Sequence, residues 1–183
     1  MEIFNILKGS GSKAPGIKNE LLIADKAWFD VIAAPSTTTE DGTGNLITIT
    51  DSHTFLDPNL GFVRLELADR SGMVDIEEVG DPEFEAVNVK VSGEHPGLNK
   101  LLLSYMGKPF NGIILAQDIN CAANVYYQVG TTCAFARKEG WKYSTGKAGG
   151  SDKKVFTLNY ASYQDSPYLY QGAVALATQP ASS

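Results

Sequence analysis

Residues 84–118 constrain the fold most, because they hold the one convincing helical period in a chain that otherwise reads as strand and turn. Leu98, Leu101, Leu102 and Tyr105 recur at the i, i+3, i+4, i+7 spacing of one helix face. Residues 84–91 before them are rich in β-formers, and Glu94, His95, Pro96 and Gly97 break that run. After them, Gly107 suits a helix C-cap and Pro109 cannot continue a helix, so the helix is expected over about 96–107. Residues 111–118 then read extended again around Ile113, Ile114 and Leu115. One short helix must therefore flank a mostly β protein.

Alternation places the strands. Residues 21–24 and 28–33 read as strands joined by a tight turn at Asp25 and Lys26, with a helix through the region as the alternative. In 46–50, Ile47 and Ile49 share one face; in 62–67, Val63, Leu65 and Leu67 point inward; in 73–79, Val74 and Ile76 oppose Asp75 and Glu77. The alternation changes phase in 84–91, which predicts a bulge, or a strand crossing between sheets, near Ala86 and Val87. Val125, Tyr127 and Val129 share a face, residues 131–136 continue extended, and Trp141 and Tyr143 lead into a Gly- and Lys-rich loop over 144–154. Phe156, Leu158 and Tyr160 point inward from a strong strand at 155–163, and 169–176 is a last extended segment. Eight to eleven short strands separated by turns argue for an antiparallel β-sandwich or barrel. One domain is expected, with an extended N-terminal arm (about 1–20) and a mobile, small and polar C-terminal tail (about 177–183).

Charge is distributed unevenly. Residues 36–95 carry 13 acids against 3 bases, whereas 96–183 carry 8 bases against 4 acids. That balance does not suit a general DNA-binding surface, which needs a basic stripe. It suits head-to-tail contact between copies, an acidic face on a basic one, or else a solvated surface with no partner. No apolar run approaches the ~20 residues of a membrane span, and residues 1–8 lack a secretory pattern. Cys121 and Cys133 are too few for a disulfide framework. They read as small buried or half-buried residues of a reducing compartment, with a hairpin disulfide as the alternative.

Motifs for chemistry fail on context. Gly9, Gly11 and Ala14 match a relaxed dinucleotide fingerprint, but Pro15 and Gly16 follow and no helix begins there. Residues 145–148 lack the hydroxyl that a phosphate loop places after its lysine. Asp51, His53 and Asp57 read as polarity at a strand end, since His53 and His95 do not sit at ligand spacing. No nucleophile elbow is present. No catalytic residue, cofactor or metal is therefore expected, and the chain does not read as an enzyme. The densest single-sign cluster is Asp69, Asp75, Glu77, Glu78, Asp81, Glu83 and Glu85.

The run from Val87 through Glu94-His95-Pro96-Gly97, a leucine-rich helix, Gly-Lys-Pro and an apolar strand to Asp118 resembles the major tail tube proteins of long-tailed bacteriophages. Their relatives in contractile injection machines share the likeness. So does the late aromatic-rich strand after Ser144-Thr145-Gly146-Lys147, through Val155 to Tyr160. The resemblance covers about half the chain; the two cysteines and the Thr-rich loop at 35–45 have no counterpart in it. It implies a structural virion protein with a β-sandwich or barrel and one flanking helix. Copies of it would form rings of six, stacked into a tube in contact with other tail proteins. DNA would pass through during ejection without specific binding, and the protein would be made in the host cytoplasm and reside in the virion tail, away from membranes. Tube lumens of this family are typically acidic, which makes Asp75, Glu77, Glu83 and Glu85 candidate lumen residues, because like charge keeps a passing genome from stalling. Thr38, Glu40, Asp41, Lys142, Lys147 and Lys153 are candidate ring-to-ring contacts. Two other readings stand beside it. One is another virion part, such as a head–tail connector, capsid decoration or baseplate subunit. The other is a β-sandwich binding module using Trp28, Trp141, Tyr126, Tyr143, Tyr168 and Tyr170 as a stacking platform.

Overall fold

A computed structural model describes residues 15–35, 45–80, 86–119, 124–148 and 153–178. Two apolar runs, Leu-Leu-Ile-Ala at 21–24 and Ile-Ile-Leu-Ala at 113–116, organise it. Successive strand side chains point to opposite faces, so four consecutive apolar residues need cover on both sides. The runs lie in β1 (Ile17–Asp25) and β8 (Asn111–Asp118), which pair antiparallel with Leu21 opposite Ala116 and Ala24 opposite Ile113. Leu21, Ile23, Ile114 and Ala116 enter one core; Leu22, Ala24, Ile113 and Leu115 enter a second.

The first core is enclosed by β5 (Val63–Glu66) beyond β1 and by β10 (Ala136–Ser144), β11 (Val155–Gln164), β7 (Ala86–Pro96) and β6 (Met73–Val79) beyond β8. Phe156, Leu158 and Tyr160 point into it from β11, as their alternation predicts. The sheet curls until the chain after β5 returns to β7. There the Ala68 N–H donates to the Glu94 carbonyl (2.6 Å) and the His95 Nδ1–H to the Glu66 carbonyl (2.7 Å). The second core holds Phe29, Ile49, Phe62 and Tyr170. Its cover comes from β2 (Phe29–Val31), β3 (Thr48–Ile49), β4 (Thr54–Phe55), β9 (Tyr126–Val129) and β12 (Tyr168–Tyr170). One edge of β8 forks, pairing with β9 through Ile114–Gln117 and with β10 through Asn111 and Gly112. At the fork a Cβ on Gly112 would strike the Ala24 carbonyl oxygen, and Gly130 sits at φ +102°. Only glycine fits both conditions.

The helix, α1 (Lys100–Met106), is shorter than expected and turned. The Asn99 side chain accepts the N–H groups of Leu101 (2.9 Å) and Leu102 (3.1 Å), so the helix begins at Lys100. Its buried residues are Leu102 and Met106, with Tyr105 packed beside them, while Leu98 and Leu101 of the predicted face are 59% and 79% exposed. Gly107 is the C-cap, as expected, its N–H donating to the Leu103 carbonyl (3.3 Å), and Lys138 holds the same end from β10. Its Nζ donates to the carbonyls of Tyr105 (3.1 Å), Met106 (3.0 Å) and Lys108, and lies 5.2 Å from the Tyr105 ring centroid.

Other expectations are corrected. The fold is mainly β with one short helix, but the sheet is mixed, because β12 and β3 pair in parallel. β7 pairs with β6 without interruption from Ala86, so there is no bulge there, and it continues through Glu94 and His95 to Pro96 because β11 pairs with it along that length. Phe84 lies outside the described residues. Residues 26–28 and 45–47 form 3-10 turns, so Trp28, Leu46 and Ile47 leave the predicted strands. Val63 is exposed while Phe62 and Leu67 are buried. Trp141 and Tyr143 belong to β10 rather than to its exit, and residues 131–135 are a turn. Residues 17–20 belong to β1, so the expected N-terminal arm is not an arm there; 1–14 lie outside the described residues. At the other end Ala177 and Thr178 donate to the carbonyls of Phe62 and Asn59, so the described start of the expected mobile tail is held to the body. Among the described residues no helix is long and apolar enough to cross a membrane.

Candidate functional site

β10, β11, β7 and β6 form, in that order, a four-stranded antiparallel sheet. Residues directly opposite share a face. Trp141 opposite Leu158, Tyr143 opposite Phe156, and Val74 and Ile76 opposite Val91 and Val89 define the inner face, against the first core. Lys142, Thr157, Asn159, Ser92, Glu94, Lys90, Asp75 and Glu77 lie on the outer face, which is polar over its middle and carries the exposed apolar side chains of Met73 and Tyr163 beside them. On it Lys90 stands opposite Asp75 and forms an ion pair with Glu77 at 3.4 Å.

Both outer strands present an open edge among the described residues. β6 pairs with β7 alone. β10 pairs with β8 only through Ala136 and Arg137, so from Lys138 to Ser144 its second edge meets no described strand. Such an edge is a template for pairing with another chain. The two edges differ in charge: β6 carries Asp75, Glu77 and Glu78 and no base, and β10 carries Arg137, Lys138 and Lys142 against Glu139. Like charge opposes pairing of β6 with its own copy, and opposite charge favours pairing of β6 with β10. Apolar side chains lie exposed along both, with Ile76 44% and Trp141 42% exposed.

Asp75 and Glu77, the candidate lumen residues, stand together on the outer face of β6, with Lys90 offsetting part of their charge. Glu83 and Glu85 lie outside the described residues. So do Thr38, Glu40 and Asp41. Lys142 lies on the outer face of β10, whereas Lys147 and Lys153 flank the far end of the β10–β11 hairpin, so the three lysines do not form one cluster. The open edge of β10 with Arg137 and Lys138 was not legible in the sequence. The only signal is Gly140, next to the register shift between Lys138 and Gly140 that separates the two basic ends of the strand.

The remaining polar clusters serve the fold. His53 is not a ligand but a buried hub. Its Nδ1 accepts the Ala33 N–H (3.0 Å), which leaves Nε2–H to donate to Gln128 Oε1 (3.0 Å), and its ring stacks on Tyr170 at 4.5 Å. Burial holds its pKa down at about 4, against a smaller opposing effect of the Gln128 hydrogen bond, so the ring is neutral. Gln128 Nε2–H donates to the Gly130 carbonyl, and the Gly130 N–H to Gln164 Oε1, each at 3.0 Å. A cleft of about 530 Å³ opens beside this network, and Gln128 and Gln164 in its wall have their amides spent on protein partners. Cys133 in the same wall is an exposed free thiol rather than a buried residue; Cys121 lies outside the described residues. No group of three metal-ligating side chains occurs among the described residues. Nor do the six aromatic residues make one platform. Trp28, Tyr126, Tyr168 and Tyr170 pack on the second core, Tyr143 packs on the first, and Trp141 alone is exposed. Comparison of the chain with family models, with curated proteins and with solved structures finds no match.

Proposed function

We propose that this chain is a structural subunit that joins copies of itself edge to edge into a ring, and that stacked rings form the tail tube of a long-tailed bacteriophage. The observation that carries this reading is the four-stranded sheet with two open edges of opposite charge. Its strands alternate in direction, so a rotation that preserves direction brings β6 of one copy antiparallel to β10 of the next. A contact between two different patches closes into a ring when its rotation divides a full turn. The stagger that a closed sheet requires slides β6 along the open part of β10. The outer face then faces the channel, because the inner face is occupied by the core. The resemblance in the helix region and the late aromatic strand supports the specific assignment to a virion tail, with passage of DNA as the role of the channel.

Negative-stain electron microscopy of the purified chain at high concentration tests the proposal. Rings or tubes with a central channel are expected. The Lys142→Glu variant should lose them, and Lys142→Glu combined with Asp75→Lys should regain them. Dispersed single particles from the unaltered protein would overturn the reading. Rings that never stack would move the chain to a connector or baseplate role.

A further inference from the structure

We infer that α1 is a second layer of the contact between copies, its exposed leucines covering the inner-face apolar residues of the neighbour's β6. This rests on the edge-to-edge assembly above and names what that assembly would bury besides the strand edges. The position of the helix supplies the argument. Gly97, just before α1, donates its N–H to the Lys154 carbonyl, beside the end of β10, while the carbonyls at the end of α1 are held by Lys138, at the start of the open edge. The helix therefore lies on the inner side of the sheet, its C-terminal end at the start of the open edge of β10. Tyr105 lies against the Lys138 ammonium, which marks the flank of the helix nearest β10. Leu101 precedes Tyr105 at i−4, the spacing of that same flank, and is left 79% exposed, and Leu98, just ahead of the helix, is 59% exposed. Trp141 adds its exposed ring from the inner face of β10.

A strand arriving at this edge must continue the sheet with its own inner face on the same side. For β6 that face carries Val74, Ile76 and Glu78, and Ile76 has no cover within its own copy sufficient to bury it. Both partly uncovered patches thus come to the same side of the same junction. Charge fits as well, since Lys100 borders the leucines and Glu78 borders Ile76. Leucines outside a helix's buried face cost solubility, and an exposed apolar patch marks a contact surface. The occupant these features fit is a second copy of this chain.

The test uses the full chain in a Cys121→Ser, Cys133→Ser background. Leu101→Ser and Ile76→Ser, separately, should raise the concentration for half-assembly at least tenfold by sedimentation velocity, with the melting temperature of the dissociated subunit unchanged. In the assembled state, Leu101→Cys with Ile76→Cys should give a ladder of covalent oligomers with a short bismaleimide, whereas each single variant should not. If the background protein assembles but Leu101→Ser assembles equally well and no ladder forms, the role of α1 is overturned and the edge contact survives. If the background protein stays monomeric at every concentration, both are overturned.

Discussion

His53 shows how one residue can tie separate parts of a fold. Its ring accepts a hydrogen bond from the Ala33 backbone N–H, donates one to Gln128 Oε1 and stacks on Tyr170, while its own backbone N–H donates to the Tyr170 hydroxyl (3.2 Å). A protonated ring could no longer accept from Ala33, and that N–H would lose its partner in a buried site. The sign of the pH dependence follows. The folded pKa, about 4, lies below the unfolded value of 6.5, so the unfolded chain binds the proton first as pH falls. The stability contributed by neutral His53 is complete above pH 6.5 and is lost as pH falls through the folded value, on the order of 3 kcal/mol in all. NMR of the imidazole nitrogens should show one tautomer, with the proton on Nε2, from pH 8 down to 5. Double protonation at pH 6 would remove the hub. None of this was legible in the sequence, where His53 reads as polarity at a strand end. Its partners lie 20, 75 and 117 residues away, and only the folded sheet brings them together.

At the scale of the element, α1 separates what periodicity specifies from what it leaves open. The i, i+3, i+4 spacing located a helix correctly, yet two stripes satisfy it: Leu98, Leu101, Leu102 and Tyr105 from the sequence, and Leu102, Tyr105 and Met106 in the fold. The cap decides between them. Asn99 takes the first N–H groups and leaves Leu98 ahead of the helix, and the turn is set so that Leu102 and Met106 meet the core. The two neighbouring leucines should therefore behave differently. Leu102→Ala removes a side chain left 6% exposed and should cost about 2–4 kcal/mol in urea unfolding. Leu101→Ala should stay within about 0.5 kcal/mol of the unaltered subunit measured as a monomer. Equal losses at the two positions would contradict the observed face.

At the scale of the whole molecule, alternation made the β class and the inward residues of β11 legible, but not the order of strands. β7 finds β11, and β1 finds β8, across long intervening stretches of chain, and no local pattern encodes such pairing. The charge asymmetry was legible as a total, and the fold refines it by placing Asp75 and Glu77 beside Lys90 on one polar face. If that face lines a channel, its middle carries Ser92, Glu94, Thr157 and Asn159, half-exposed groups with no free cation among them. With Lys90 paired to Glu77 and Lys142 meeting the acids of the neighbour's β6, such a lining offers a duplex little to release counterions against, so DNA should pass without binding. Changing the lining should change that without touching the edges. Glu94→Lys with Asn159→Lys places two cations per copy on strands interior to the sheet, away from β6 and from the open edge of β10. Tubes of this variant should retain labelled duplex DNA on sedimentation at about 50 mM salt and release it at about 200 mM, while unaltered tubes retain none at either. The melting temperature should change little, since both side chains lie on the solvated face. Intact variant tubes that leave the DNA in the supernatant at low salt would mean that this face does not line the channel, and the acids on β6 would then serve the contact between copies alone.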